Sequence, residues 1–234
     1  MCDALAIRGA EPVIFPTIAV EPVESFGPID AALEALDTYA WVVFTSANGV
    51  RHLLERREAG TAAPWPVGVR IAAVGPATAR ALEARGLQVD ATPAEFRSDA
   101  VPAVLDQIAG RRVLLPRADI GRQPILDALA GAGALVHDLT VYRTVPAAPT
   151  AHHWAALRRG VDAVTFTSPS TVLNFLALLG AEGRALLAEC VVAAIGPITT
   201  EAARAEGVRV DVEPEQYTAE GLAEALARHF APAA

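Results

Sequence analysis

Residues 44–50 read F-T-S-A-N-G-V, and residues 166–172 read F-T-S-P-S-T-V. Each stretch ends an apolar run with hydroxyl-bearing residues and then opens a helical pattern. The echo continues downstream. V-G-P-A-T at 74–78 answers I-G-P-I-T at 195–199, and G-L-Q-V-D at 86–90 answers G-V-R-V-D at 207–211. Phe96 then meets Tyr217, and Leu105 meets Leu226. Similarity held in register from Phe44 to Leu105, with a single one-residue slip, marks two copies of one α/β unit.

Within each copy, short apolar runs alternate with helical patterns. The first copy predicts strands at 41–45, 70–75 and 88–92, each followed by a helix, at 49–58, 77–85 and 99–109. The second repeats the strands at 163–167, 191–196 and 209–212. Apolar strands without polar alternation, separated by helices, predict parallel sheets covered on both faces. Residues 111–117 and 134–144 add two strands around a helix at 124–130. The helix–glycine–strand part of that segment, 127–140, is echoed at 3–16. The expected fold class is therefore α/β, with two doubly wound parallel-sheet lobes related by duplication. An inner lobe covers 25–138. A discontinuous outer lobe joins 1–20 to 146–234. Extended crossings at about 17–23 and 139–145 form a two-stranded linker.

The chain has 234 residues, of which 53% are apolar and 20% charged, the composition of a well-buried globular protein. A net charge of −8 and the lack of a basic stripe argue against nucleic acid, while leaving an anionic small molecule open. Cys2 and Cys190 form no metal or redox spacing, which fits a reducing cytoplasm. The first residues have no basic region and apolar core of a signal peptide. The uncharged stretch 163–181 is rich in Ser, Thr and Pro and reads as strand, turn and buried helix rather than a membrane span.

In parallel α/β sheets, ligands gather beyond the C-terminal strand ends, where both quoted turns lie. Ser168-Pro169 suits a helix cap followed by proline in the first turn, leaving the amides of Ser170 and Thr171 pointing outward. G-P-A-T and G-P-I-T repeat the design, with a close turn at Gly75 and Gly196 and hydroxyls at Thr78 and Thr199. Helix N-termini with bare amides accept anions. Four such corners facing a cleft would suit a ligand bearing several carboxylates, although capping alone explains any one of them. Nucleotide, Walker, G-x-S-x-G and zinc-protease motifs are absent from the sequence. Arg117, in L-P-R-A-D, is placed to meet an anion or to pair with Asp119 or Glu55. Tyr142 offers either a packed ring or a proton-donating hydroxyl. His152-His153 reads as exposed, and His52, His137 and His229 lack companions at ligand spacing.

The ordered set W-V-V-F-T-S-A-N-G-V, A-A-V-G-P-A-T-A, L-L-P-R-A-D, V-Y-R-T, F-T-S-P-S-T-V, A-A-I-G-P-I-T-T and Y-T-A-E-G-L resembles the uroporphyrinogen-III synthase family through nearly the whole chain. The resemblance implies two flavodoxin-like lobes joined by a two-stranded ladder, with the active site in the cleft. It implies dehydrating cyclisation of hydroxymethylbilane, with inversion of ring D, to uroporphyrinogen III in tetrapyrrole biosynthesis. No cofactor and no metal are expected. The expected setting is a cytoplasmic monomer, with no membrane or nucleic-acid partner and with hydroxymethylbilane synthase as upstream donor. Tyr142 matches the family's proposed general acid. Thr45, Ser46, Asn48, Thr78, Arg117, Ser168, Ser170 and Thr199 match positions that line the cleft, with Asn48 standing where the second copy has Ser170. One departure stands out. Family members begin with a strand resembling the one at 113–117, and the outer lobe has no such strand before its first helix. The expectation is an outer lobe without its first, central strand, which leaves a non-catalytic polycarboxylate-binding module or a truncated synthase as the alternative reading.

Overall fold

A computed structural model describes residues 1–60, 63–94, 98–121 and 123–231. The chain divides into two compact units, Val20–Thr144 and Met1–Ala19 with Val145–Ala234.

Among the described residues, the Val20–Thr144 unit holds most of a five-stranded sheet. Its strands are β1 (Ile18–Glu21), β2 (Trp41–Phe44), β3 (Arg70–Ala73), β4 (Arg112–Ala118) and β5 (Leu135–Pro146), in the order β1-β5-β4-β2-β3. The pairs β2–β3, β2–β4 and β4–β5 are parallel. All four residues of β2 are buried, because successive side chains leave opposite faces of a strand and both faces are covered. Val42 and Phe44 join one cluster with Leu53, Leu54, Ile71 and Leu82. Trp41 and Val43 join the other with Val113, Leu115, Ile125 and Leu129. The covering helices are α2 (Gly27–Glu34), α3 (Ala47–Gly60), α4 (Pro76–Glu83) and α5 (Gln123–Gly131).

The other unit carries the short helix α1 (Cys2–Ala6), helix α6 (Ala151–Arg158), strand β6 (Ala163–Phe166), helix α7 (Pro169–Glu189), strand β7 (Val191–Ala194), and helices α8 (Pro197–Ala205) and α9 (Ala219–Phe230). Its core gathers Phe166, Val172, Phe175, Leu179, Leu187 and Val192. Phe15 packs edge-on against Trp154, with ring centroids 5.2 Å apart. Helix α7 has the length and apolar composition of a membrane span. Its Val172, Phe175, Leu176 and Leu179 nevertheless sit in this core, and Gly180, at φ 53°, breaks its helical path. Strands β6 and β7 pair in parallel. Among the described residues, no strand lies along the other edge of β6. Ala163, Val164 and Thr165 are accordingly only half-buried, where their counterparts in β2 are buried.

The duplication is written in hydrogen bonds. The Val74 amide donates to the Phe44 carbonyl at 2.8 Å, and the Ile195 amide to the Phe166 carbonyl at 3.0 Å. The Ile71 amide donates to Asp90 Oδ2 at 2.8 Å, and the Val192 amide to Asp211 Oδ2 at 2.9 Å.

Two sequence expectations differ in detail. The strands expected at 88–92 and 209–212 shrink to single bridges, Ala72 to Ala91 and Ala193 to Val212. In each copy an aspartate side chain takes the amide that a longer ladder would have used. The helix expected at 99–109 is a 3₁₀ turn over Ser98–Val104. Pro102 inside it lacks an amide, and Gln107 then turns the chain at φ 52°. Phe96, matched to Tyr217 in the repeat, lies outside the described residues.

Candidate active site

Each unit has its own strand-end corners. In the Val20–Thr144 unit, β2 runs through Thr45 and Ser46 into α3. The Gly49 amide donates to Ser46 Oγ at 3.0 Å, so Ser46 caps the helix. Gly49 has a packing reason to be glycine: a Cβ there would lie 2.9 Å from the Pro116 carbonyl oxygen of β4. The first turn of α3 is thus seated directly on β4. Asn48 is half-buried, and its Oδ1 lies 3.5 Å from Arg51.

Tyr142 rises from β5 into this corner. It is buried, and its hydroxyl lies 3.2 Å from Ser46 Oγ. The His52 ring, from α3, is stacked on the phenol with centroids 5.3 Å apart and planes 22° apart. Burial first, then the adjacent Arg51 guanidinium, hold the His52 imidazole below its usual pKa, with Glu55 opposing.

Arg117 has a different partner from either expected one. Its Nε and a terminal nitrogen each lie 2.6 Å from a carboxylate oxygen of Asp138, a two-pronged ion pair. The hydrogen bond to Asp138 raises the guanidinium pKa further. The pairing follows from register: Leu115 stands opposite Asp138 and Arg117 opposite Thr140. Two residues along parallel strands therefore bring both charged groups to one face. Gly121 is the close neighbour, since a Cβ there would overlap the Arg117 side chain.

The second corner of this unit joins β3 to α4. Gly75, at φ 100°, makes the turn that glycine favours. Thr78 is only 3% exposed, so this corner offers first-turn amides more than a side-chain hydroxyl.

The other unit repeats both corners. Ser168 caps α7 with Pro169 in the first turn, accepting from the Thr171 amide at 3.3 Å, while Thr171 Oγ1 accepts from the Ser168 amide at 3.2 Å. The Thr171 amide, expected to point outward, is spent on this reciprocal cap. The Ser170 amide, one residue earlier, keeps the first-turn position that lacks a helical acceptor. The Ser170 hydroxyl is exposed and 2.9 Å from Ser168 Oγ. At the second corner, Gly196 carries the exposed Tyr217 ring against it, and a Cβ would stand 3.0 Å from Tyr217 Cδ1. Thr199 is buried and its amide donates back to the Gly196 carbonyl at 3.1 Å. Buried Thr200 gives its hydroxyl hydrogen to Glu213.

Sequence reasoning named Ser46 and Tyr142 separately, and the fold brings them together. It set His52 aside as a histidine without companions at ligand spacing, and it did not name Asp138, Thr200 or Glu213. Asp138 left no local signal, since its meeting with Arg117 depends on the pairing register of β4 and β5. His153 proves structural: its Nδ1 accepts from the Thr150 amide at 3.0 Å at the start of α6.

These features define a class: a duplicated parallel α/β protein whose strand ends present capped helix starts, with a buried phenol beside one of them. Residues 1–224 match the family described as Uroporphyrinogen-III synthase HemD. The chain belongs to the uroporphyrinogen-III synthase family. It is 34% identical to the uroporphyrinogen-III synthase of Synechococcus elongatus, over 93% of this chain and 86% of that one. It is 32% identical to the uroporphyrinogen-III synthase of Chlorobaculum parvum, over 94% and 89%. A crystal structure of mutant uroporphyrinogen III synthase from the extreme thermophile Thermus thermophilus superposes with a TM-score of 0.63 at 24% identity, covering 97% of this chain and 91% of that one, and shares its mixed α/β fold.

Proposed function

We propose that this chain closes hydroxymethylbilane to uroporphyrinogen III, with loss of water and inversion of ring D, as a lyase of tetrapyrrole biosynthesis. The observation that carries the proposal is the family match across residues 1–224. Both units are read as copies of one flavodoxin-like lobe, supported by the matched hydrogen bonds of the two copies.

The substrate carries eight carboxylates. First-turn amides and hydroxyls at the corners of Thr45, Ser46 and Asn48, of Thr78, of Ser168 and Ser170, and of Thr199 are read as their binding groups. Thr78 and Thr199, being buried, contribute through the backbone of their turns. Arg117 is read as a binding residue oriented by Asp138.

Tyr142 is read as the general acid. Ser46 Oγ accepts from the Gly49 amide and still owns a hydrogen, so in its 3.2 Å contact with the Tyr142 hydroxyl it is able to serve as the donor. The phenol's own hydrogen then remains for the leaving hydroxyl. The C–O bond breaks as the proton arrives and water departs. The pyrrole nitrogen lone pair stabilises the cation left on the methylene carbon. The substituted carbon of ring D attacks that carbon to give a spiro intermediate. The bond from that ring D carbon to its original bridge toward ring C then breaks, leaving a second pyrrole-stabilised cation on the bridging carbon. The unsubstituted carbon of ring D attacks it, and loss of the proton on that carbon restores the aromatic pyrrole and balances the proton given by Tyr142. Because ionisation is easy, holding ring D in the attacking geometry is the larger task, and positioning supplies it.

The setting is read as cytoplasmic, supported by two unpaired thiols, one exposed and one buried. The protein is read as a monomer that takes its substrate from hydroxymethylbilane synthase.

The test is to generate hydroxymethylbilane in situ, oxidise the products and separate the isomers. Type III product above the spontaneous type I background is the expected result. Type I alone, with substrate bound, would return the non-catalytic reading.

A further inference from the structure

We propose that His52 is a positioning residue for Tyr142, holding the phenol by its face while Ser46 holds it by its oxygen. This rests on Tyr142 acting as the general acid.

The geometry supports a division of labour. The Ser46–Tyr142 contact is a single hydrogen bond of 3.2 Å, which fixes the oxygen but not the plane of the ring. A phenol tethered at one point can pivot about its ring torsion, and a proton donor that pivots spends time misaligned. The His52 imidazole lies nearly parallel to the phenol, with centroids 5.3 Å apart, and closes that freedom. The other edge of the imidazole is held in turn, with Nε2 3.0 Å from an Arg51 nitrogen.

Both contacts come from one rigid element. Ser46 caps α3 and His52 stands on it, and α3 is seated on β4 through Gly49 and Pro116. Tyr142 comes from β5, which pairs with β4. Helix and strand are therefore locked to the same neighbour, and the phenol is held between two groups whose spacing cannot drift independently. Burial also favours the uncharged imidazole, so the ring packs on the phenol as a flat, neutral face.

Four variants test this: His52→Leu, His52→Gln, His52→Phe and Tyr142→Phe, with His52→Leu/Tyr142→Phe as the double. Thermal melts identify which single variants fold, and Gln serves if Leu does not. Losing the flat face is expected to lower kcat about ten-fold, part of the effect of a positioned acid, with KM little changed. His52→Phe keeps a flat face and is expected to recover most of kcat, a rescue that loss of packing alone does not predict. In the double variant, removing His52 is expected to add no loss beyond Tyr142→Phe.

His52→Leu or His52→Gln with unchanged kcat would overturn the inference. So would Phe performing as poorly as Leu, or the same fold-loss recurring when Tyr142 is already Phe. The two readings separate cleanly. Full kcat in Tyr142→Phe removes the general-acid assignment and this inference with it, whereas a crippled Tyr142→Phe beside an unaffected His52→Leu removes this inference alone.

Discussion

Two glycines of α3 should respond in opposite directions to the same change. At Gly49 an added Cβ would stand 2.9 Å from the Pro116 carbonyl oxygen and 3.4 Å from Ser46 Oγ. The first obstacle is backbone inside a paired strand, so neither side yields cheaply. Overpacking of this kind costs about 1–3 kcal/mol, against which alanine returns at most ~1 kcal/mol of helix propensity. The expected net is a loss of roughly 1–2 kcal/mol, or a melting temperature lower by about 3–6 °C for a chain of this size. At Gly60, in the last turn of the same helix, no described atom comes within 4 Å of an added Cβ. Gly60→Ala should be neutral or stabilising by up to about 1 kcal/mol. Thermal melts and amide exchange of β2 and β4 measure both. With Tyr142 in its proposed role, activity should fall together with stability, since pushing α3 off β4 carries Ser46 Oγ away from the Tyr142 hydroxyl. Equal melting of Gly49→Ala and Gly60→Ala, with β4 exchange unchanged, would refute the close seating of α3.

Three further outcomes are expected. Asp138→Ala removes a half-exposed carboxylate from the buried Arg117 guanidinium and should cost about 1 kcal/mol, while Arg117→Leu/Asp138→Ala should cost less than the sum of the two single changes; paired chemical denaturation compares them. Amides of β6 should exchange faster than those of β2, because β6 has a strand on one edge only among the described residues. Asp211 is raised in pKa by burial but lowered more by the Val192 amide and by Arg209, so the net shift is downward. A carboxylate with a depressed folded pKa stabilises above its unfolded value, near 4, and that contribution disappears as pH falls through the folded value. Asp211→Asn should therefore flatten the acid limb of the stability curve below about pH 4 and leave its slope at neutral pH alone.

Much of this was legible in the sequence because the duplication supplied an internal control. The run W-V-V-F-T-S and the run A-V-T-F-T-S predict the same strand, corner and helix, and the structure builds both. Contacts that depend on strand register were not legible. Arg117 meets Asp138 only because β4 and β5 pair with Leu115 opposite Asp138, and no local pattern encodes that offset. The His52–Tyr142 stack joins a helix to a distant strand and left no trace in spacing. The strand expected at 88–92 failed for a chemical reason, since Asp90 turns its side chain onto the Ile71 amide.

The most informative positions are those where the copies disagree. Gly49 and Thr171 occupy the same place in the repeat. Gly49 is pressed against the Pro116 carbonyl of β4, which leaves no room for a Cβ. Thr171 keeps a side chain and uses it to close the reciprocal cap with Ser168. The neighbours differ in the same way: β2 has β4 along one edge and β3 along the other, whereas the only described strand beside β6 is β7. The choice of residue thus follows the packing around each corner rather than the corner itself. By the same reasoning the roles proposed for the two corners differ in emphasis: both are read as meeting carboxylates, and one is read as orienting a phenol as well. The corner seated on β4 holds Ser46 rigid enough to orient a phenol. The other, with its exposed Ser170 hydroxyl and first-turn amide, is read only as gripping a carboxylate.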